Sequence, residues 1–291
     1  MRHILFALAC VAFGVGGALT PAAAQELQNS QVEIAYVEPA NATYRPIYER
    51  LRARQVLEEL RFFLAPLRLP RKVLVTIDQC DAPDRAYRPG GPVTVCYEYV
   101  QQLRELAAKI PADSKTQRGV SRGDAIVGAF VQVVLQRMSS AVFDILDIPL
   151  WGREQDAADK LAGFLMLQFG TPTARKLLNG AAYFFEASDR TWTGSDFSDT
   201  RGTEAQRFYN YLCIAYGEDR RTFSDFVESQ GMGRRGEQRL DVLPEARAAR
   251  CPKEYADLKW AFDSTIMPNV DQDLLEKVMA RKDWLRADDG R

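Results

Sequence analysis

The chain has 291 residues, of which 46 % are hydrophobic, and 38 Lys and Arg stand against 39 Asp and Glu for a formal net charge of −1. The two signs are interspersed, so no basic face is available for nucleic acid or for an anionic membrane surface, and both are excluded as partners. The sequence contains one histidine, His3, which excludes most imidazole-based catalysis from the rest of the chain.

Residues 1–24 read as a secretory signal. Arg2 and His3 form a basic start, Ile4 to Leu19 is apolar, and Ala22, Ala23 and Ala24 give a small-residue cleavage site before Gln25. The apolar run is shorter than the roughly 20 residues a spanning helix needs. The expectation is a periplasmic or secreted protein, not inserted in a membrane after cleavage. The mature chain, 25–291, is expected to be a single α+β domain: an α/β part over about 25–115 and a mainly helical part over about 116–291.

Along the mature chain, Gln31 to Val37 alternates as a short strand, and Pro46 to Ala65 carries the apolar period of one helix. Lys72 to Ile77 and Val93 to Tyr97 are β-branched and predict strands. Glu98 to Ile110 follows as a helix, then a polar loop over Pro111 to Ser121. Helices are expected over Gly123–Asp147, Arg153–Phe169, Thr171–Ala187, Glu204–Tyr216, Arg221–Gln230, Pro244–Thr265 and Gln272–Trp284, with a polar loop over Ser188–Thr203.

Four cysteines remain after the signal segment: Cys80, Cys96, Cys213 and Cys251. An even number in an exported chain argues for disulfides, and three pairings are possible. Cys80–Cys96 and Cys213–Cys251 are favoured, the first because a turn-rich segment between two strands allows a hairpin-like approach. A zinc site built from these cysteines is disfavoured, since no CxxC spacing occurs.

The helix over Gly123–Asp147 is apolar on most sides, as a buried helix should be. Its polar residues Gln132, Gln136, Ser140 and Asp144 fall four apart and so form one stripe, with Arg137 beside it. Such a stripe must line a groove or meet polar groups on a neighbour. The next helix, joined by the short turn Ile148–Gly152, is the natural neighbour. It opens with Glu154, Gln155, Asp156 and Asp159; the first-turn acids Glu154 and Asp156 also suit the helix dipole. A groove formed by Gln132, Gln136, Arg137, Ser140, Glu154 and Asp159 is the candidate site.

The stretch Phe143 to Leu165 (FDILDIPLWGREQDAADKLAGFL) resembles a bacterial family of putative metallopeptidases, once a domain without assigned function. The resemblance extends to Cys96-Tyr97-Glu98, to Gln206 to Asn210 before Cys213, and to Arg247 to Tyr255. In that family the long helix carries HExxH and the next one ExxxD: two His ligate zinc, the intervening Glu activates water, a Glu completes the ligands and an acid orients one of them. The resemblance therefore implies a zincin-like helical part. Here the frame reads Gln136, Arg137 and Ser140 in place of His, Glu and His, and Gln155 stands four before Asp159; if the third ligand lies one residue earlier, Glu154 survives.

Gln and Ser are weak neutral ligands, and Arg137 opposes a dication by roughly 8 kcal/mol at about 4 Å and an effective dielectric near 20. Without zinc, water keeps a pKa near 15.7, not about 7. The expectation is a zinc-free pseudopeptidase with no cofactor and no catalytic residues, whose groove holds a peptide or protein partner. Arg137 is expected to replace the cation by pairing with Glu154 or Asp159, or else to point to solvent at the groove mouth. The alternatives are a hydrolase with a non-standard site and a purely structural exported protein.

Overall fold

In the computed structural model the described residues are 31–80, 87–188, 201–227, 242–281 and 284–285. The expected signal segment, most of the loop expected over 188–203 and the end of the helix expected to reach Gln230 lie outside them. Three strands, β1 (Val32–Tyr36), β2 (Val73–Asp78) and β3 (Val93–Cys96), form one sheet in that order. Both pairings are parallel, with Val32 opposite Val73 and Asp78 opposite Cys96. A parallel pair needs a crossover of a dozen or more residues, and helices α1 (Arg45–Ala53) and α2 (Val56–Leu64) supply the first one.

The single helix expected over Pro46–Ala65 is thus two. Gln55 adopts a left-handed backbone with φ of 50° and breaks the run. The second helix is recapped from outside: the Tyr36 hydroxyl accepts the Leu57 N–H at 2.8 Å and donates to Glu58 at 2.7 Å. The interruption lets α2 bury Leu57, Leu60, Phe63 and Leu64 while α1 buries Ile47.

The remaining helices are α3 (Tyr97–Ala107), α4 (Arg122–Ile145), α5 (Glu154–Leu167), α6 (Thr171–Ser188), α7 (Glu204–Glu218), the short α8 (Glu245–Ala248), α9 (Cys251–Thr265) and α10 (Gln272–Ala280). The fold is α+β, with a small sheet leading into a mostly helical body. Three expected helices are shorter than the sequence pattern implied, the last of them ending at Ala280 and not at Trp284. Within the described part of Arg221–Gln230, residues 221–227, a 3-10 turn forms at Ser224–Phe226, and Pro252 in the first turn of α9 separates it from α8.

Helix α4 is the core of the body. Ser121 and Asp124 close its first turn as a reciprocal capping box, and most of its length is buried against α5, α6, α3 and β3. Among the described residues it is the one helix long and apolar enough to cross a bilayer, and 83 % of that stretch is buried inside the protein. Its approach to α6 is set by glycine. A Cβ on Gly180 would strike the Asp124 carbonyl, and one on Gly128 the Leu177 carbonyl and the Gly180 Cα. These are backbone atoms of packed helices, so relief requires moving a whole helix. Gly180→Ala is expected to cost about 1–3 kcal/mol, read as a lower midpoint in urea denaturation with an unchanged slope.

Both favoured disulfides are formed, with Cα–Cα separations of 5.5 Å for Cys80–Cys96 and 5.1 Å for Cys213–Cys251. The reason expected for the first differs from the one observed. No hairpin joins β2 to β3; parallel pairing sets their C-terminal ends side by side, and Cys80 lies two residues beyond Asp78, the partner of Cys96.

Candidate functional site

Helices α4 and α5 run antiparallel across the turn 146–153, and the polar stripe of α4 faces α5. Gln136, Arg137, Ser140, Glu154 and Gln155 all line one cavity of about 310 Å³. Its other walls are aromatic and apolar, from Tyr87, Tyr99, Leu106 and Phe184, with Arg201, Glu204 and Arg207 on the side of α7. The opposite hydroxyl, Ser139, turns away and donates to the Leu135 carbonyl at 2.7 Å.

The stripe is used in three ways. At one end Gln132 is buried and its amide donates to Asp159 Oδ1 at 2.9 Å. In the middle, Gln136 and Ser140 face the cavity. At the other end Asp144 accepts hydrogen bonds from the Tyr87 hydroxyl (2.8 Å), the Gly90 N–H (3.1 Å) and Arg71 (2.5 Å), pinning the segment 87–90 to α4. The Tyr87 hydrogen bond, with Gly90 and Arg71 in support, holds the Asp144 carboxyl below its ordinary value against a weaker opposing effect of burial. A depressed folded pKa means stability present above the unfolded value and lost as pH falls through the folded one. Acidification below about pH 3.9 is therefore expected to release Tyr87 from α4. A lower amide-exchange protection factor at Gly90 in acid, reproduced at neutral pH by Asp144→Asn, is the measurement.

Asp159 is not paired with Arg137. Its carboxylate receives a bidentate grip from Arg207 on α7, with Nε–Oδ2 at 2.7 Å and Nη2–Oδ1 at 2.9 Å. The Arg207 guanidinium also stacks on Phe185 of α6, 4.2 Å from the ring centroid. Burial opposes its charge, but the Asp159 carboxylate outweighs that, so its pKa is raised. One carboxylate thus joins α4, α5 and α7, with α6 stacked on the cation. Beside it Tyr211 is fully buried, and burial followed by the Asp159 charge pushes its phenol well above the ordinary value. Arg207 was within the sequence motif Gln206 to Asn210, but nothing in its spacing announced a partner 48 residues away.

Arg137 neither pairs with Glu154 nor reaches solvent. It is 1 % exposed and donates to the Thr94 carbonyl of β3, the edge strand of the sheet. The bulk of α4 and the sheet exclude water there, which overturns the expected place at the groove mouth. Asp156 is a structural acid: it pairs with Arg153 at 2.7 Å and accepts the Gly202 N–H at 2.6 Å. Glu154 lies at the exposed end of α5 and still faces the cavity.

A zinc ion does not suit this donor set. Two amides and a hydroxyl occupy the frame positions, no imidazole is present, and a buried guanidinium lines the same cavity.

The chain belongs to the putative metallopeptidase family, matched over residues 36–265, from the end of β1 to the end of α9. No curated protein and no solved structure matches it.

Proposed function

We propose that this chain is an exported, catalytically silent member of its family that uses the cavity between α4 and α5 to hold a peptide or protein segment. The observation that carries the reading is the set of side chains at the frame positions: Gln136, Arg137, Ser140 and Gln155 line one cavity and contain neither a histidine nor a general base. Catalytic residues and zinc are accordingly no part of it. Glu154, the alternative third-ligand position, and Glu204 bring carboxylates to the cavity but no imidazole, and Arg137 opposes a dication there.

The same cavity has the polar groups a peptide needs. Among the described residues the side chains of Gln136, Ser140 and Glu154 make no hydrogen bond to the protein, and the buried Ser188 Oγ and Glu204 Oε2 have no partner. A peptide backbone brings donors and acceptors to such groups, and the walls from Tyr99 and Phe184 offer contact area. Two disulfides fit an oxidising compartment outside the cytoplasm, in keeping with a periplasmic or secreted location.

Purified mature chain, loaded with zinc and then dialysed, is expected to retain no stoichiometric metal and to leave unfolded protein substrates intact. Stoichiometric zinc together with hydrolysis would overturn the reading. Ser140→Trp, which fills the cavity, is expected to weaken capture from a peptide library at least about tenfold while leaving the fold intact by circular dichroism.

A further inference from the structure

On the opposite face of α4 lies a second cavity, of about 260 Å³, between α2, α4, α5, α9 and α10. Met138, Val142, Leu161, Phe164 and Phe262 form much of its wall. Most polar side chains on its border are already engaged: Ser139 with the Leu135 carbonyl at 2.7 Å, Gln168 with the Phe164 carbonyl at 3.1 Å, and Lys259 with Asp263 at 2.5 Å, which leaves the Tyr255 hydroxyl as the remaining polar group. Water needs two to four polar partners and finds few here, whereas hydrocarbon is well matched.

Helix α10 is the roof, contributing Leu275, Val278 and Met279. Each end is clasped to the region around α2. Asp271 pairs with Arg68 at 2.7 Å and its N–H donates to the Pro66 carbonyl at 2.8 Å; Arg281 pairs with Glu59 at 2.5 Å. This roof follows residue 265 and so lies beyond the family match.

We propose that this second cavity binds an unbranched aliphatic chain of roughly ten carbons, scaled from a cavity of about 150 Å³ that holds benzene. A slender chain fits beneath α10 with both clasps closed, whereas a helix of a partner protein would have to displace α10 and break both ion pairs. Met138, Met267 and Met279 let the wall adjust to the chain. Lys259 and Asp263 stand together at the half-exposed rim, so a charged head meets one attraction and one repulsion. The chain, not the head, sets the affinity.

The test uses the mature protein with sodium decanoate, 1-decanol and sodium butyrate below any micellar concentration. Decanoate and decanol are expected to raise the thermal midpoint saturably, with Kd values within about threefold of each other, and butyrate to leave it unchanged. Leu161→Phe and Val142→Phe, which fill the space, are expected to weaken decanoate at least about tenfold. If both variants fail to fold, Met279→Trp at the rim carries the test, its emission moving to the blue on adding decanoate. No midpoint rise in the wild type, no emission change in Met279→Trp, or equal decanoate affinity in folded filling variants would each overturn the proposal. A loss of decanoate binding in Gln136→Lys would place the chain in the polar cavity and overturn it too. So would a midpoint rise from an amphipathic leucine-rich peptide but not from decanoate, which would make the space a protein-docking groove.

Discussion

Arg207→Met is expected to destabilise the protein by about 3–5 kcal/mol, the usual cost of stranding one member of a buried ion pair. Asp159 has a side chain only 4 % exposed, and without Arg207 its charge would keep the Gln132 amide, at 2.9 Å, as its hydrogen-bond donor. Methionine conserves much of the volume stacked on Phe185, so the loss reports charge and hydrogen bonding more than packing. The double variant Arg207→Met/Asp159→Leu is expected to recover most of the loss, because a pair of apolar groups removes the stranded charge. Urea denaturation of the wild type, the two single variants and the double variant closes the cycle. A single-variant loss below about 1 kcal/mol would mean that the pair behaves as an exposed salt bridge and does not hold the four helices together.

Removing the second disulfide is expected to have a similar effect. Cys213 and Cys251 are 38 residues apart in sequence, and closing a loop of that length is worth about 4 kcal/mol through the unfolded chain, against about 3 kcal/mol for the 16-residue separation of Cys80 and Cys96. Cys213→Ala/Cys251→Ala should therefore lower the urea stability more than Cys80→Ala/Cys96→Ala. The bond joins α7 to α9 where the helices already touch closely, since a Cβ on Gly217 would strike the Cys251 carbonyl. Arg247 adds a clasp beside it, bonding Glu254 at 2.7 and 2.9 Å. Dithiothreitol should reproduce the loss in the wild type and have no further effect on a variant lacking all four cysteines. A wild-type midpoint that is the same with and without reductant would show that the bridges contribute nothing to stability.

The two predictions differ in how visible their origin was. Cysteine parity in a chain with a signal-like start pointed to two bridges but left three pairings open, of which the favoured one is formed. The reason attached to Cys80–Cys96 was nevertheless mistaken, because strand direction is not written in β-branched runs. Val73–Asp78 and Val93–Cys96 look alike whether they pair parallel or antiparallel, and only the packing of helices on the sheet distinguishes the two. The break at Gln55 was equally hidden: a left-handed glutamine has no local signature, and the cap it needs comes from Tyr36 in another element.

The candidate cavity was more legible. Spacing of four put Gln132, Gln136, Ser140 and Asp144 on one face of α4, and a short turn made α5 the facing helix. Both are properties of neighbouring residues, governed by helix geometry. Arg207, by contrast, sits in an unremarkable run at the start of α7, and Tyr87 in the loop between β2 and β3.

By itself, then, the order of residues determined the helical stripe, the even set of cysteines and the absence of any histidine after His3, because periodicity and composition are local. Tertiary structure decided that Asp159 belongs to Arg207 and that Arg137 donates to the Thr94 carbonyl of β3. Charges of either sign recur along this chain, and which two meet depends on the surfaces that burial of apolar side chains brings together.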